Sequence, residues 1–288
     1  MPPPERWFVL SVTAPETESV RDLIAEGLVA LGGQSVLDEG HTLSTFLSPP
    51  SDPDAFAEHA TSVLREWTNG DISTVSWSWR QNEDWEREWR RGLQPRKISP
   101  RFVVKPSWAS WDAAPGEIIV EIDPQMAFGT GEHATTRGCL RLLDSCFVAG
   151  DRALDVGSGS AILSIAAAML GASEVVAVEF DPDANINARE NIERGGVEAI
   201  VSLREQMADP ALISELGQFD VILANILSGV VRPLLPAFEE ALRPDGRLIV
   251  SGILRTEADD VVRDATAAGL RLLKEDQEDE WWSALFVR

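Results

Sequence analysis

The stretch Asp155-Val156-Gly157-Ser158-Gly159-Ser160 lies between a short apolar segment and an alanine-rich one. Its glycines let the backbone approach a ligand closely, and a helix starting just after them offers free N–H groups to an anion. Glu179 stands 22 residues beyond Gly157, at the end of the next strand-like segment. A carboxylate there can accept hydrogen bonds from ribose hydroxyls, as in nucleoside binding by Rossmann-like folds. A dinucleotide fingerprint requires a third glycine at position 162, where Ile162 stands instead. That loss, with Asp155 just before the turn, favours S-adenosylmethionine over NAD. The methionine carboxylate would then replace a pyrophosphate. A dinucleotide site and a ligand-free turn stay open on this motif alone.

Two more segments carry unusual chemistry. Ala127-Phe128-Gly129-Thr130-Gly131-Glu132-His133-Ala134-Thr135-Thr136 combines glycine freedom, an aromatic ring, a histidine and hydroxyls. A glycine turn capping a helix explains Thr135 or Thr136, but leaves His133 unexplained. The other is Phe219-Asp220-Val221-Ile222-Leu223-Ala224-Asn225-Ile226-Leu227, read as a strand whose carboxyl end opens on the ligand crevice of an α/β sheet. Asn225 is a polar group ending an apolar run, either a ligand contact or a cap. His41, His59 and His133 are the histidines and Cys139 and Cys146 the cysteines, so no clustered zinc site and no catalytic metal are expected. Cys139 and Cys146 fall on one helical segment about 10 Å apart at ~1.5 Å rise per residue, too far for a disulfide.

These residues need elements to hold them. From residue 118 onward the pattern alternates strands (153–156, 175–178, 221–223, 247–251, 281–287) with helices (161–170, 183–194, 233–242, 257–268). Such alternation builds a mostly parallel, doubly wound sheet. Residues 7–80 read instead as βαββαβ, the order of a small ferredoxin-like α+β domain, with Asp52 capping a helix that opens at Pro53. A charged helix over 83–91 and a proline-rich extended stretch lie between them. The predicted division is 1–81, a substrate-recognition domain; 82–116, a linker helix and extended segment; and 117–288, the nucleoside-binding domain. A chain of 288 residues is long enough for two such cores.

Charge narrows the partners. Acids number 47 against 25 bases, a net charge of −22. Phosphate backbones repel such a surface, so no direct nucleic-acid binding is expected and a basic protein suits it better. The opening residues Met1–Arg6 lack the apolar core of a secretory signal, and no apolar run approaches the ~20 residues of a membrane span. A cytoplasmic monomer is expected.

The combination AFGTGEHATT (127–136), LDVGSGSAIL (154–163), ANIL (224–227) and SGIL (251–254) resembles the PrmA family. EDWEREW (83–89), Pro-Ser-Trp at 106–108 and Glu280-Trp281 follow the same pattern, so the resemblance spans nearly the whole chain. It implies an S-adenosylmethionine-dependent enzyme methylating lysine ε-amines, and with them the N-terminal α-amine, of ribosomal protein L11. By position it implies cofactor contacts at Thr136, Gly157, Glu179 and Asn225, with Asn225 and His133 the catalytic candidates. Ser158, Ala161, Glu179 and Ala134 depart from the family's cysteine, glycine, aspartate and proline. Methylases of planar amides and adenine carry Asn-Pro-Pro-aromatic where ANIL stands, so an amine nucleophile is favoured. The alternatives are a lysine methyltransferase of the electron-transfer flavoprotein β subunit and, from another class, a nucleotide-dependent oxidoreductase.

Overall fold

The computed structural model describes residues 6–14, 17–33, 36–38, 40–68, 70, 72, 74–81, 94–123 and 131–288. The chain divides into two compact units, Met1–Gly92 and Leu93–Arg288. The charged 83–91 segment and residues 127–130 of the first glycine-rich motif lie outside the described residues.

In the first unit β1 (Arg6–Thr13), α1 (Glu18–Ala30), β2 (Val36–Asp38), β3 (Thr42–Leu47), α2 (Pro53–Trp67) and β4 (Thr74–Gln81) follow in order. The strands form an antiparallel sheet ordered β2-β3-β1-β4. Alternate residues of β1 (Phe8, Leu10 and Val12) are fully buried and meet Ile24, Leu28 and Leu64 of the two helices. Period two in the strand and 3.6 in the helices thus converge on one face. The Asp52 carboxylate accepts from the Ala55 N–H at 3.1 Å, closing the first turn of α2.

The second unit begins with a three-stranded sheet of β5 (Arg96–Lys97), β6 (Phe102–Lys105) and β7 (Ile118–Glu121). Residues 94–116, read from sequence as an extended linker, are therefore built into this unit, with Phe102 and Val103 fully buried. Backbone pairing and an apolar face, obscured by the surrounding prolines, decided that.

The remaining elements are α3 (Ala134–Cys146), β8 (Arg152–Val156), α4 (Ile162–Met169), β9 (Glu174–Val178), α5 (Pro182–Arg194), β10 (Val201–Arg204) and α6 (Pro210–Glu215), followed by β11 (Phe219–Asn225), α7 (Ser228–Ala241), β12 (Leu242–Leu254), α8 (Ala258–Ala267), β13 (Arg271–Glu278) and β14 (Trp281–Val287). One sheet holds seven strands in the order β10-β9-β8-β11-β12-β14-β13, with only β14 running against its neighbours. Both faces are covered, so the central strands carry apolar residues on both sides, with polar ones only toward their ends. Ala153, Val221 and Leu223 face one core, while Leu154, Ile222 and Ala224 face the other. Strand order reverses between β8 and β11, which opens a crevice at their carboxyl ends.

Within the seven-stranded sheet and its helices, three more elements lack a counterpart in the sequence reading. VSLR (β10) and PALISE (α6) are too short to show a period, and RLLKEDQE (β13) is a largely polar edge strand. Helix α7 starts at Ser228 rather than Pro233, running through Pro233 and Pro236. An internal proline costs ~3 kcal/mol in an isolated helix. Here the complete burial of Val231, Leu235 and Phe238 against the sheet offsets that cost.

Candidate functional site

The loop leaving β8 is fixed from both sides. The N–H groups of Gly157 and Ser158 donate to the Val178 carbonyl at 2.9 and 3.1 Å, tying the loop to the end of β9. Gly157 has φ +70°, and a Cβ there would lie 2.4 Å from Cγ2 of Ile226. Both dihedral and approach therefore demand glycine. The Gly159 N–H donates to Oε2 of Glu179 at 3.0 Å. Oε1 of Glu179 accepts from the N–H groups of Phe180 and Asp181 at 2.8 and 2.9 Å. Each carboxylate oxygen accepts about two hydrogen bonds. Oε1 is thus filled, and the position left for a further donor is on Oε2, beside the glycine loop.

The loop ends at Ala161, which caps α4 in the left-handed region, φ +65° and ψ 18°, and is fully buried. Its side chain offers no capping bond, and with the Ser164 N–H bonded to Asp155 the amides of Ile162 and Leu163 are the ones that can meet an anion. Beneath the loop Asp155 is 1% exposed. Its Oδ2 accepts from the Ser164 hydroxyl at 2.6 Å, while Oδ1 has no hydrogen-bond partner among the described residues. Burial raises its pKa to about 6 against the opposing effect of the Ser164 bonds.

The other wall of the crevice comes from α3 and β11. His133 is the N-cap of α3, its Nδ1 accepting from the Thr135 N–H at 3.4 Å and lying 2.7 Å from the Thr135 hydroxyl. With Nδ1 as acceptor, the hydrogen-bond pattern assigns the ring proton to Nε2. Desolvation, and after it the Arg137 charge, lower the His133 pKa, so the ring is neutral at pH 7. The Trp281 ring packs edge-on at 4.9 Å between centroids. One turn along, Arg137 Nε donates to Glu278 at 2.8 Å and another of its nitrogens donates to the Glu132 carbonyl. Arg141 donates to Asp276 at 2.5 Å and to Glu278 at 2.8 Å. The β13–β14 hairpin thus grips the first two turns of α3. The sequence reading did not single out these four charged residues, though arginines four apart on a helix and acids two apart on a strand each mark one face.

Thr136 is fully buried, and its hydroxyl accepts from Asn225 Nδ2 at 3.4 Å across 89 residues of sequence. Asn225 Oδ1 is buried with no partner among the described residues. Ile226, the next residue, covers Gly157. The fold therefore joins Thr136, Asn225, Gly157 and Glu179 around the switch point, with His133 one turn from Thr136. The result is a fixed acceptor, an open helix N-terminus and buried oxygens on Asn225, Asp155 and Ser158 lacking partners among the described residues. That donor and acceptor set fits a nucleoside bearing an amino acid. Among the described residues no group of three potential metal ligands converges.

Residues 11–288 match the family described as ribosomal protein L11 methyltransferase (PrmA). A relative of that name from Symbiobacterium thermophilum is 39% identical over 227 residues, 78% of this chain and 72% of its own. Another, from Geobacter metallireducens, is 35% identical over 96% of both chains. The crystal structure of a ribosomal protein L11 methylase from Lactobacillus delbrueckii subsp. bulgaricus superposes with a TM-score of 0.62 at 27% identity, covering 68% of this chain and 98% of that one. Neither the flavoprotein-directed enzyme nor the oxidoreductase finds support among these relatives. The chain belongs to the PrmA family of ribosomal protein L11 methyltransferases.

Proposed function

We propose that this chain binds S-adenosylmethionine in the switch-point crevice and methylates lysine ε-amines, and the N-terminal α-amine, of ribosomal protein L11 in the cytoplasm. The observation that carries the reading is Asn225, which ends the central strand with a buried amide oxygen that has no partner among the described residues, beside Thr136 and the Gly157 loop. Glu179 Oε2 would take a ribose hydroxyl and the first amides of α4 the cofactor carboxylate. Bound there, the cofactor supplies an electrophilic methyl group on a sulfonium.

What the protein must add is alignment of a neutral amine with that methyl. Lysine has a pKa of ~10.4, so presenting it uncharged at pH 7 costs about 4–5 kcal/mol. Asn225 Oδ1 can accept from an incoming N–H and orient the nitrogen lone pair. Proton release to solvent suffices once the amine is positioned. His133, neutral and engaged at Nδ1 with Thr135, serves better as the cap that positions α3 than as a base. The acidic surface suits a basic substrate. Residues 1–81 are assigned to substrate recognition and 117–288 to the chemistry.

The test is incubation with labelled S-adenosylmethionine and L11, with the label mapped by mass spectrometry and a 95–288 fragment run beside the intact chain. Label should appear on L11 amines, and more slowly with the fragment. Equal rates would remove the recognition role of the first unit. NAD binding tighter than S-adenosylhomocysteine in calorimetry would overturn the cofactor assignment.

A further inference from the structure

We propose that Gly252 and Ile226 form a clasp that sets the position of Asn225, which makes Gly252 a positioning residue for methyl transfer. The proposal rests on the methyltransferase reading above. Strands β8, β11 and β12 are consecutive neighbours, so the loop leaving β11 lies between the ends of the other two. On the β12 side, a Cβ on Gly252 would meet Ile226 at 2.7 Å from its carbonyl oxygen, 2.8 Å from its carbonyl carbon and 3.1 Å from its nitrogen. These are backbone atoms, which cannot swing aside as a side-chain end can. On the β8 side, Cγ2 of Ile226 lies 2.4 Å from where a Gly157 Cβ would be. Ile226 therefore has its backbone seated on one glycine and its side chain over another.

The seat is itself held firmly. Gly252 has φ +79°, and the β12–β14 register shifts between Val250 and Ile253, which places it in an irregularity of the strand. Ser251 pairs with Asn225 in the β11–β12 ladder, and its hydroxyl lies 2.7 Å from that of buried Ser283. The Asn225 side chain, by contrast, is weakly tethered among the described residues, with a 3.4 Å bond to Thr136 and no partner for its oxygen. The amide is therefore aimed chiefly by the backbone of its loop, and that backbone rests on Gly252. The SGIL stretch, which no contact assigned above uses, acquires a role as this seat.

Substitution Gly252→Ala pushes the loop back and should weaken S-adenosylhomocysteine binding and lower kcat about tenfold each. Gly269→Ala is the control for backbone strain: φ is +100° there, but an added Cβ meets only the Glu239 side chain at 3.6 Å or more. It should lower the melting temperature through the strained dihedral, though less than Gly252→Ala, while changing affinity less than about twofold. The decisive measurement is a double-mutant cycle. In an Asn225→Ala background the Gly252→Ala effect should shrink to about twofold, because the group being aimed is gone. If Gly252→Ala does not fold, Ile226→Ala, which removes the side-chain half of the clasp, takes its place in the cycle. Full additivity with Asn225→Ala, or wild-type affinity and rate in a folded variant, overturns the clasp alone. A wild-type chain that binds no S-adenosylhomocysteine overturns the methyltransferase reading with it.

Discussion

The two walls of the crevice are built on different plans. The β8–β9 wall satisfies itself: three backbone N–H groups converge on Glu179, and the carbonyl of Val178 takes two more from the glycine loop. The α3–β11 wall does not. It rests on a long Asn225–Thr136 bond, a glycine seat and an ion-pair grip from the C-terminal hairpin, and among the described residues it leaves an amide oxygen bare. A self-satisfied wall contributes to folding whether or not a ligand is present. A wall with a bare acceptor gains its partner only when something binds. The first should therefore register in stability as well as affinity, the second in turnover and ligand affinity more than in stability.

The sharpest way to break that contrast is Asn225→Ala, expected to cut kcat about a hundredfold or more while the melting temperature barely moves. Single-turnover methylation across pH 6–9 beside a thermal melt would decide it. A normal rate with a lowered melting temperature would show that both walls are structural.

Asp155 and Ser158 are the exceptions within the self-satisfied wall, each with a buried oxygen lacking a partner among the described residues. Asp155 is the one that titrates. Its folded pKa is raised from 3.8 to about 6. Below the unfolded value both states are protonated and the group contributes nothing. Between pH 4 and 6 the unfolded chain releases its proton first, so stability falls as pH rises, by about 3 kcal/mol in all. Asp155→Asn keeps an acceptor for Ser164 and removes the titration. Its stability relative to wild type should therefore rise by that amount from pH 4 to 7 in denaturant titrations. A difference that is flat with pH would place the titrating group elsewhere.

Glu179→Ala should cost roughly 1.5–3 kcal/mol of ligand affinity, ten- to hundred-fold, and also lower the melting temperature, since it strands three N–H groups. Calorimetry with S-adenosylhomocysteine and a melt on the same sample separate the two effects. An unchanged dissociation constant moves the ribose site away from this carboxylate.

The smallest effect belongs to Ala161, held at φ +65°. Ala161→Gly relieves about 1 kcal/mol of left-handed strain against a partly cancelling loss of chain stiffness, so the melting temperature should rise slightly. A fall would mean that the buried methyl packs better than the backbone suffers.

Local patterns determined much of this in advance. The Asp155–Ser160 turn and Glu179 were legible because loop, strand and carboxylate lie within 25 consecutive residues and bond mainly to one another's backbone. The alternation of α and β and the capping of α2 by Asp52 followed likewise from short-range periodicity and side-chain chemistry. Other features had no local signal. Strand β13 is polar because it is an edge, and α7 tolerates two prolines because the sheet beneath it covers Val231 and Phe238. Arg137 meets Glu278 across 141 residues, and His133 takes its neutral, capping state from burial and from Thr135. Residue types and short spacings were enough to nominate the residues proposed to contact a nucleoside. Which of them already have partners, and which wait for a ligand, depended on the folded sheet, because partners so far apart in sequence meet only when it closes.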